Sequence, residues 1–211
     1  MLNIPKQLKK VRKINLDKNF LINFENEIKQ IYEKGSIRGP IHLMNNSEDY
    51  LIKIFSYINK SDMVFSYWRN HLHALLHGVD IDHLKKQILN GRSMGVYSTK
   101  PFFMSSSIVG GTVPIALGSA LSIKRKKQRR KVWCFVGDMT SNTGIFHEAH
   151  KYSLNFDLPI TFIIEDNGKS TNTPTDKVWG NKNSKITSPK IIYYKYKLSY
   201  PHHGTGKWVL F

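Results

Sequence analysis

Only one cysteine occurs in the 211 residues, Cys134, inside the apolar run VWCFVG. A disulfide within the chain is therefore excluded, which fits a reducing compartment. No apolar run reaches the ~18–20 residues that a membrane-spanning helix needs. The N-terminal stretch MLNIPKQLKKVRK lacks the apolar centre of a secretory signal. A soluble, cytoplasmic protein with no membrane partner is expected. Acidic residues are scarce as well: 15 Asp and Glu stand against 32 Lys and Arg, for a net charge of +17. Such a balance raises nucleic acid as a partner, but its distribution argues otherwise. The block KRKKQRRK, residues 124–131, carries seven of the positive charges, and the stretch up to Lys18 carries six more. These read as a solvated helix end and loop before a strand, plus a frayed basic arm over residues 1–18. A nucleic-acid surface should also gather stacking aromatics near the block, where only Trp133 lies.

What is present is enough apolar material for a core. Forty per cent of the residues are hydrophobic, which excludes disorder, and the length suits a single domain spanning residues 1–211. Phe20, Phe24, Ile28, Ile31 and Tyr32 recur at helical spacing and predict a helix over residues 19–34, ended by Gly35. Tyr50, Leu51, Ile54 and Phe55 predict another over 47–59. Further helices are expected over 63–77 and over 81–90, the latter closed by Gly91, so that the first ninety residues are mostly helical. Residues 91–111, rich in Gly, Ser, Phe and Met, read as loop; 114–124 as a helix whose small residues suit close packing on a sheet.

The pattern then changes to short apolar runs bounded by charge and glycine. Residues 131–136 and 159–164 read as buried strands with a helix over 145–154 between them, and 190–198 as a third strand. Strand, helix and strand in this compass make a βαβ unit with parallel strands. The predicted fold class is α/β, a doubly wound, mainly parallel sheet with N-terminal helices. In such sheets ligands bind beyond the carboxyl ends of the strands. Gly137-Asp138 ends the first buried strand, and Glu165-Asp166-Asn167-Gly168 ends the second, with Asn167 standing 29 residues after Asp138. If the two strands are neighbours, Asp138 and Asn167 face each other across the crevice. An anionic oxygen and an amide oxygen, joined by a backbone carbonyl, make half of an octahedral magnesium shell that phosphate oxygens and water complete. A helix starting near Asn142 would aim its positive end at the same place. The alternative is a plain helix cap at Asp138 and a turn at Asn167-Gly168.

GDMTSNTGIFHEA followed by FIIEDNGKSTNT resembles the Gly-Asp-Gly to Asn-Asn motif of thiamine diphosphate enzymes. Within these, the chain resembles the alpha subunit of the 2-oxo acid dehydrogenases of the pyruvate and branched-chain type. SIRGPIHLMNNSED resembles that family's Lys-x-Arg-Gly-x-x-His-Leu segment, and SYWRNHLHALLHGVD its Tyr-Arg-x-His element. GRSMGVY and SIVGGTVPIALGSAL resemble its Gly-Gly-Ser-Met-His and Gly-Ile-Val-Gly-x-x-x-Pro elements. Five motifs in the family's order cover about 170 residues from Ser36 onward.

The resemblance implies the thiamine diphosphate-binding fold, with thiamine diphosphate and Mg2+ as cofactors. It makes the side chains of Asp138 and Asn167 and the carbonyl of Lys169 the magnesium ligands, and Arg69 the group that holds the diphosphate. Trp68 replaces the family's tyrosine and offers an indole N–H in place of a hydroxyl. Met139 stands at the family's second glycine, whose N–H approaches the diphosphate; a methionine offers the same N–H at negative φ, and Thr140 follows in the same cofactor-binding turn. Backbone groups of Ser107 and Val109 would meet the aminopyrimidine, with Ser107 in place of a glycine. His42, His71 and, in YPHHGTGKW, His203 match the family's active-site histidines, a residue type suited to proton transfer near neutrality. The alternative for each is a hydrogen-bonded structural histidine. His71, His73 and His77 also suggest a transition-metal site, but no carboxylate or cysteine nearby in sequence completes one.

The family's aminopyrimidine-activating glutamate comes from a beta-type, pyrimidine-binding subunit. An α2β2 heterotetramer acting on a small 2-oxo acid is therefore implied, an oxidoreductase component that decarboxylates and transfers the acyl unit, with the isolated chain inactive. The chain is short for the family, so a transketolase-like or carboligase subunit in sugar or secondary metabolism is the second reading. A catalytically degenerate structural subunit and a basic nucleic-acid-binding protein are the readings of other classes.

Overall fold

The computed structural model describes residues 2–180 and 187–210. Asp17 opens the first helix by accepting the Phe20 N–H at 2.8 Å, and α1 (Lys18–Glu33) turns Leu21, Phe24 and Ile28 inward. α2 (Glu48–Phe55) and β1 (Met63–Ser66) follow, then α3 (His71–His77) and α4 (Ile81–Gln87), which widens into a π-helical turn over Ile88–Arg92. Gly91 sits in that turn at φ 75°, where an added Cβ would lie 3.0 Å from the Arg38 carbonyl oxygen. β2 (Tyr97–Thr99) and β3 (Phe102–Ser105) precede α5 (Thr112–Arg125). The remainder runs β4 (Val132–Gly137), α6 (Asp138–Ser141), α7 (Gly144–Asn155), β5 (Ile160–Asp166), the small hairpin β6 (Lys169–Ser170) and β7 (Thr173–Pro174), α8 (Thr175–Trp179) and β8 (Ile191–Lys195).

Six strands form one sheet in the order β2-β3-β1-β4-β5-β8, parallel throughout except for the β2–β3 pair. The sheet is covered on both faces, as the alternation along β4 requires: Trp133 and Phe135 enter the core shared with α1 to α4, whereas Val132, Cys134 and Val136 enter the core shared with α5 and α7. This is the doubly wound α/β architecture. From β1 the chain moves outward to β3, and from β4 it moves outward the other way to β5 and β8, so the winding reverses between β1 and β4. Their carboxyl ends therefore diverge and open a crevice.

Two segments differ from the sequence-based expectation. Residues 63–77, expected as one helix, divide into β1, a turn and α3. MVFS lies between two parallel neighbours and is buried toward both faces, and such a strand is a plain apolar run that periodicity does not separate from a helix. Residues 91–111, expected as loop, contain the antiparallel pair β2–β3, whose three and four residues are too few for alternation to register. The basic arm is also not frayed. Leu2, Ile4, Leu8, Ile14 and Leu16 pack against the core, Asn3 bridges to Tyr193 on the sheet edge, and the Arg12 guanidinium donates to the carbonyls of Ile58 and Leu76, each at 2.7 Å. The block at 124–131 is the exposed end of α5 and the loop into β4.

Candidate functional site

A cleft opens at the reversal point, and each strand that reaches it contributes residues at or just beyond its end. β1 supplies Tyr67, Trp68 and Arg69; β4 supplies Gly137, Asp138, Met139 and Thr140; β5 supplies Asn167, Lys169, Ser170 and Thr171. Val109 stands at the rim ahead of α5, and His202 closes the remaining wall.

Asp138 is nearly enclosed, at 7% exposure. Its Oδ2 accepts the Thr175 hydroxyl at 2.5 Å. Burial pushes its carboxyl up to about 6, opposed by the Thr175 hydrogen bond and aided by the charge of Asp166. An acid so placed gains from a cation. Its backbone begins a single helical turn, α6, with the Ser141 hydroxyl and Asn142 amide both donating to the Asp138 carbonyl at 2.8 Å. The longer helix α7 starts at Gly144 after Thr143, between the two expected starts near 142 and at 145.

Across from Asp138, Asn167 closes a side-chain turn: its Oδ1 accepts the Lys169 N–H at 2.9 Å, and its Nδ2 lies 3.4 Å from the Tyr196 hydroxyl. Asp166 is held by the Gly168 N–H at 2.9 Å, by the Tyr193 hydroxyl and by Lys195 at 3.4 Å. Arg69 is buried, one guanidinium nitrogen being fixed on the Leu43 carbonyl at 3.1 Å. Met139 lies in helical backbone, and its Sδ accepts the Trp179 indole N–H at 2.9 Å. Outside glycine, positive φ among the described residues is confined to Asn46, Lys127, Asp157 and Thr171, so neither Met139 nor Ser107 occupies the conformation that favours glycine.

The histidines divide. His42 is buried beside the cleft, its Nδ1 2.7 Å from the His202 carbonyl and its ring 4.8 Å from the His202 ring. A carbonyl only accepts, so Nδ1 carries the proton and Nε2 keeps its lone pair. Burial lowers this imidazole to about 3, against the His202 carbonyl bond, so the ring is neutral. His71 is packed behind the cleft with both nitrogens engaged, Nδ1 by Glu25 at 3.2 Å and Nε2 by Ser93 at 2.9 Å. His203 is exposed and does not line the cleft, and Ser107 is likewise outside the lining. Sequence reasoning missed His202, Tyr67 and Thr175. The doubled histidine in YPHHG signals the first, the residue before Trp68-Arg69 signals the second, and nothing local signals Thr175, which reaches Asp138 from 37 residues away.

His73 is held by Ser66 at 2.8 Å and Glu165 at 3.2 Å, so α3 spends its imidazoles on the interior. Among the described residues no three His, Cys, Asp or Glu side chains converge on one point. A magnesium–diphosphate site does not ask for them: one carboxylate, one amide oxygen and a backbone carbonyl suffice, the phosphates supplying further oxygens. The buried, cation-seeking Asp138, the oxygen of Asn167 and the enclosed Arg69 fit that requirement.

Fold and cleft together define a doubly wound α/β protein with its site at the point where the strand order reverses. The dehydrogenase E1 component family model matches residues 17–186, and the chain belongs to this family. It is 30% identical over 162 residues to the alpha subunit of acetoin:2,6-dichlorophenolindophenol oxidoreductase of Bacillus subtilis (strain 168), covering 72% of this chain and 48% of that protein. It is 30% identical to the pyruvate dehydrogenase E1 component subunit alpha of Porphyra purpurea, covering 69% and 47%. Against the chloroplastic pyruvate dehydrogenase E1 subunit alpha-3 of Oryza sativa subsp. japonica the identity is 28%, covering 82% and 43%. The chain thus spans about half the length of the curated relatives it matches.

Proposed function

We propose that this chain is the diphosphate- and magnesium-binding, alpha-like subunit of a thiamine diphosphate-dependent enzyme that decarboxylates a 2-oxo acid and transfers the acyl unit. The observation that carries the reading is the meeting of Asp138, Asn167 and Arg69 in one cleft at the ends of adjacent strands. Asp138, the Asn167 oxygen and the Lys169 carbonyl hold Mg2+; Arg69, aided by the Trp68 indole N–H and the backbone of Met139 and Thr140, holds the diphosphate. Val109 and Ser107 lie toward the aminopyrimidine end. Thiamine diphosphate, when bound, supplies the thiazolium carbon that adds to the substrate carbonyl and accommodates the electrons left by carbon dioxide. His42, neutral and with an Nε2 lone pair, stands just behind the lining and accepts or returns a proton beside His202, the imidazole on the cleft wall. His71 acts from behind, through Glu25 and Ser93. A beta-type subunit completes the site as an α2β2 assembly.

Similarity to an acetoin oxidoreductase alpha subunit supports a second reading for the donor, a 2-hydroxy ketone in place of a 2-oxo acid. Co-expression with a beta-type subunit from the same source, followed by assay of carbon dioxide release from pyruvate and of acetaldehyde release from acetoin, tests both. The reading expects one of the two activities only in the complex, slowed about 100-fold or more by His42→Ala with cofactor binding retained. Neither activity in a folded, cofactor-loaded complex contradicts it.

A further inference from the structure

Residues 171–180 lie on the outside of the molecule, and among them Thr175 alone is not exposed. It opens α8, a helix that buries none of its side chains, so apolar packing does not seat it. Hydrogen bonds do. The Thr175 hydroxyl donates to Asp138 Oδ2 at 2.5 Å and the Trp179 indole N–H to Met139 Sδ at 2.9 Å, so both ends of α8 rest on α6. The Thr175 backbone holds a different partner, its N–H donating to the Gly168 carbonyl at 3.0 Å. Gly168 lies between Asn167 and Lys169, and the β6–β7 hairpin that pairs Lys169 with Pro174 brings Thr175 back to it. One residue thus grips the end of β4 with its side chain and the turn after β5 with its backbone.

The double hold falls where the sheet stops setting distances. The β4–β5 ladder ends at the pair Gly137 and Glu165, so Asp138 and the 167–169 turn lie beyond it. Magnesium demands near-ideal octahedral geometry at about 2.0–2.1 Å, so oxygens brought from two different strands need a fixed spacing. Threonine is branched at Cβ and stiff about χ1, and with its N–H fixed on Gly168 its hydroxyl has little freedom. The Asp138 carboxylate takes the rotation that meets it. An ionised carboxylate has about four lone-pair directions, so accepting one hydroxyl settles that rotation and leaves directions for a cation.

We infer that Thr175 is a positioning residue that clamps Asp138 to the 167–169 turn and sets the carboxylate's orientation for the cation. The inference rests on the reading of Asp138 as a magnesium ligand. Thr175→Val keeps the branched shape and deletes the donor, Thr175→Ser keeps the donor, and Trp179→Phe frees only the far end of α8. Calorimetry on the full chain with the proposed beta-type subunit measures Mg2+-dependent thiamine diphosphate binding. Hydrogen exchange at the Gly168 and Lys169 amides, whose acceptors are the Asp166 and Asn167 side chains, is followed without cofactor. Thr175→Val should weaken binding about 10- to 100-fold, the usual effect of removing a group behind a metal ligand. Thr175→Ser should restore most of that loss, and Trp179→Phe should cause little of it. Both amides should exchange faster in Thr175→Val and return to their ordinary rate in Thr175→Ser. Equal or tighter binding by Thr175→Val, as follows if the hydroxyl only fills the cation's place, would overturn the inference; so would a loss as large in Trp179→Phe, or unchanged exchange. If the unaltered protein binds no cofactor, the reading of the site fails, while the exchange rates still decide whether Thr175 joins the two turns.

Discussion

His42 and His77 are buried imidazoles, and desolvation lowers them to about 3 and about 4. A histidine kept neutral in the fold protonates freely once the chain unfolds. The stability it contributes is therefore fully present above the ordinary value of 6.5 and is lost as pH falls toward the folded value. Each should cost about 2 kcal/mol between pH 7 and pH 5. Urea unfolding at the two pH values should show the change between them smaller by about 2 kcal/mol in His77→Gln; an unchanged difference contradicts it. At this scale the meeting of Asp138, Asn167 and Arg69 around one cleft was readable, because residue type and spacing decided it. The site was not readable where a loop's path decided. His202 and His203 are equivalent in sequence, yet the turn ending at Gly204 puts the first on the cleft wall and the second in solvent. Thr175 carries no local mark at all.

Elements read well where one face or both faces gave a long enough pattern: α1, α5, β4, α7 and β5 fall within a few residues of expectation. β1 did not, because a central parallel strand of four residues has no period to detect and its identity is fixed only by β3 and β4 on either side. The placement matters for function, since β1 rather than a helix carries Tyr67, Trp68 and Arg69 to the reversal point. Packing between the sheet and its helical layer is concentrated at Phe135, whose ring stacks on His73 at 4.2 Å and on Phe55 at 5.4 Å. Phe135→Ala should lower unfolding free energy by about 3–5 kcal/mol, as expected for emptying a large enclosed aromatic site. A loss below about 1 kcal/mol in a denaturant titration would mean that the two layers are not held together there.

Over the whole molecule, charge and chemistry occupy opposite ends of the sheet. The block at 124–131 leads into the start of β4, whereas Asp138 stands at its finish. Neutralising Lys126 and Arg129, both exposed, by glutamine should leave stability within about 0.5 kcal/mol, measured by thermal unfolding, and should leave cofactor affinity unchanged; a tenfold loss of affinity would mean that the basic pole reaches the site. The low acidic content legible in the sequence thus describes a surface, and the arm it seemed to free is tied down by apolar residues placed between the charges. The central claim is that Asp138 makes this cleft a magnesium-dependent diphosphate site. Calorimetric titration of thiamine diphosphate into the chain together with the proposed beta-type subunit, with and without Mg2+, should give binding that requires the ion and vanishes in a folded Asp138→Ala variant; equal binding by that variant, or binding indifferent to Mg2+, would contradict the account.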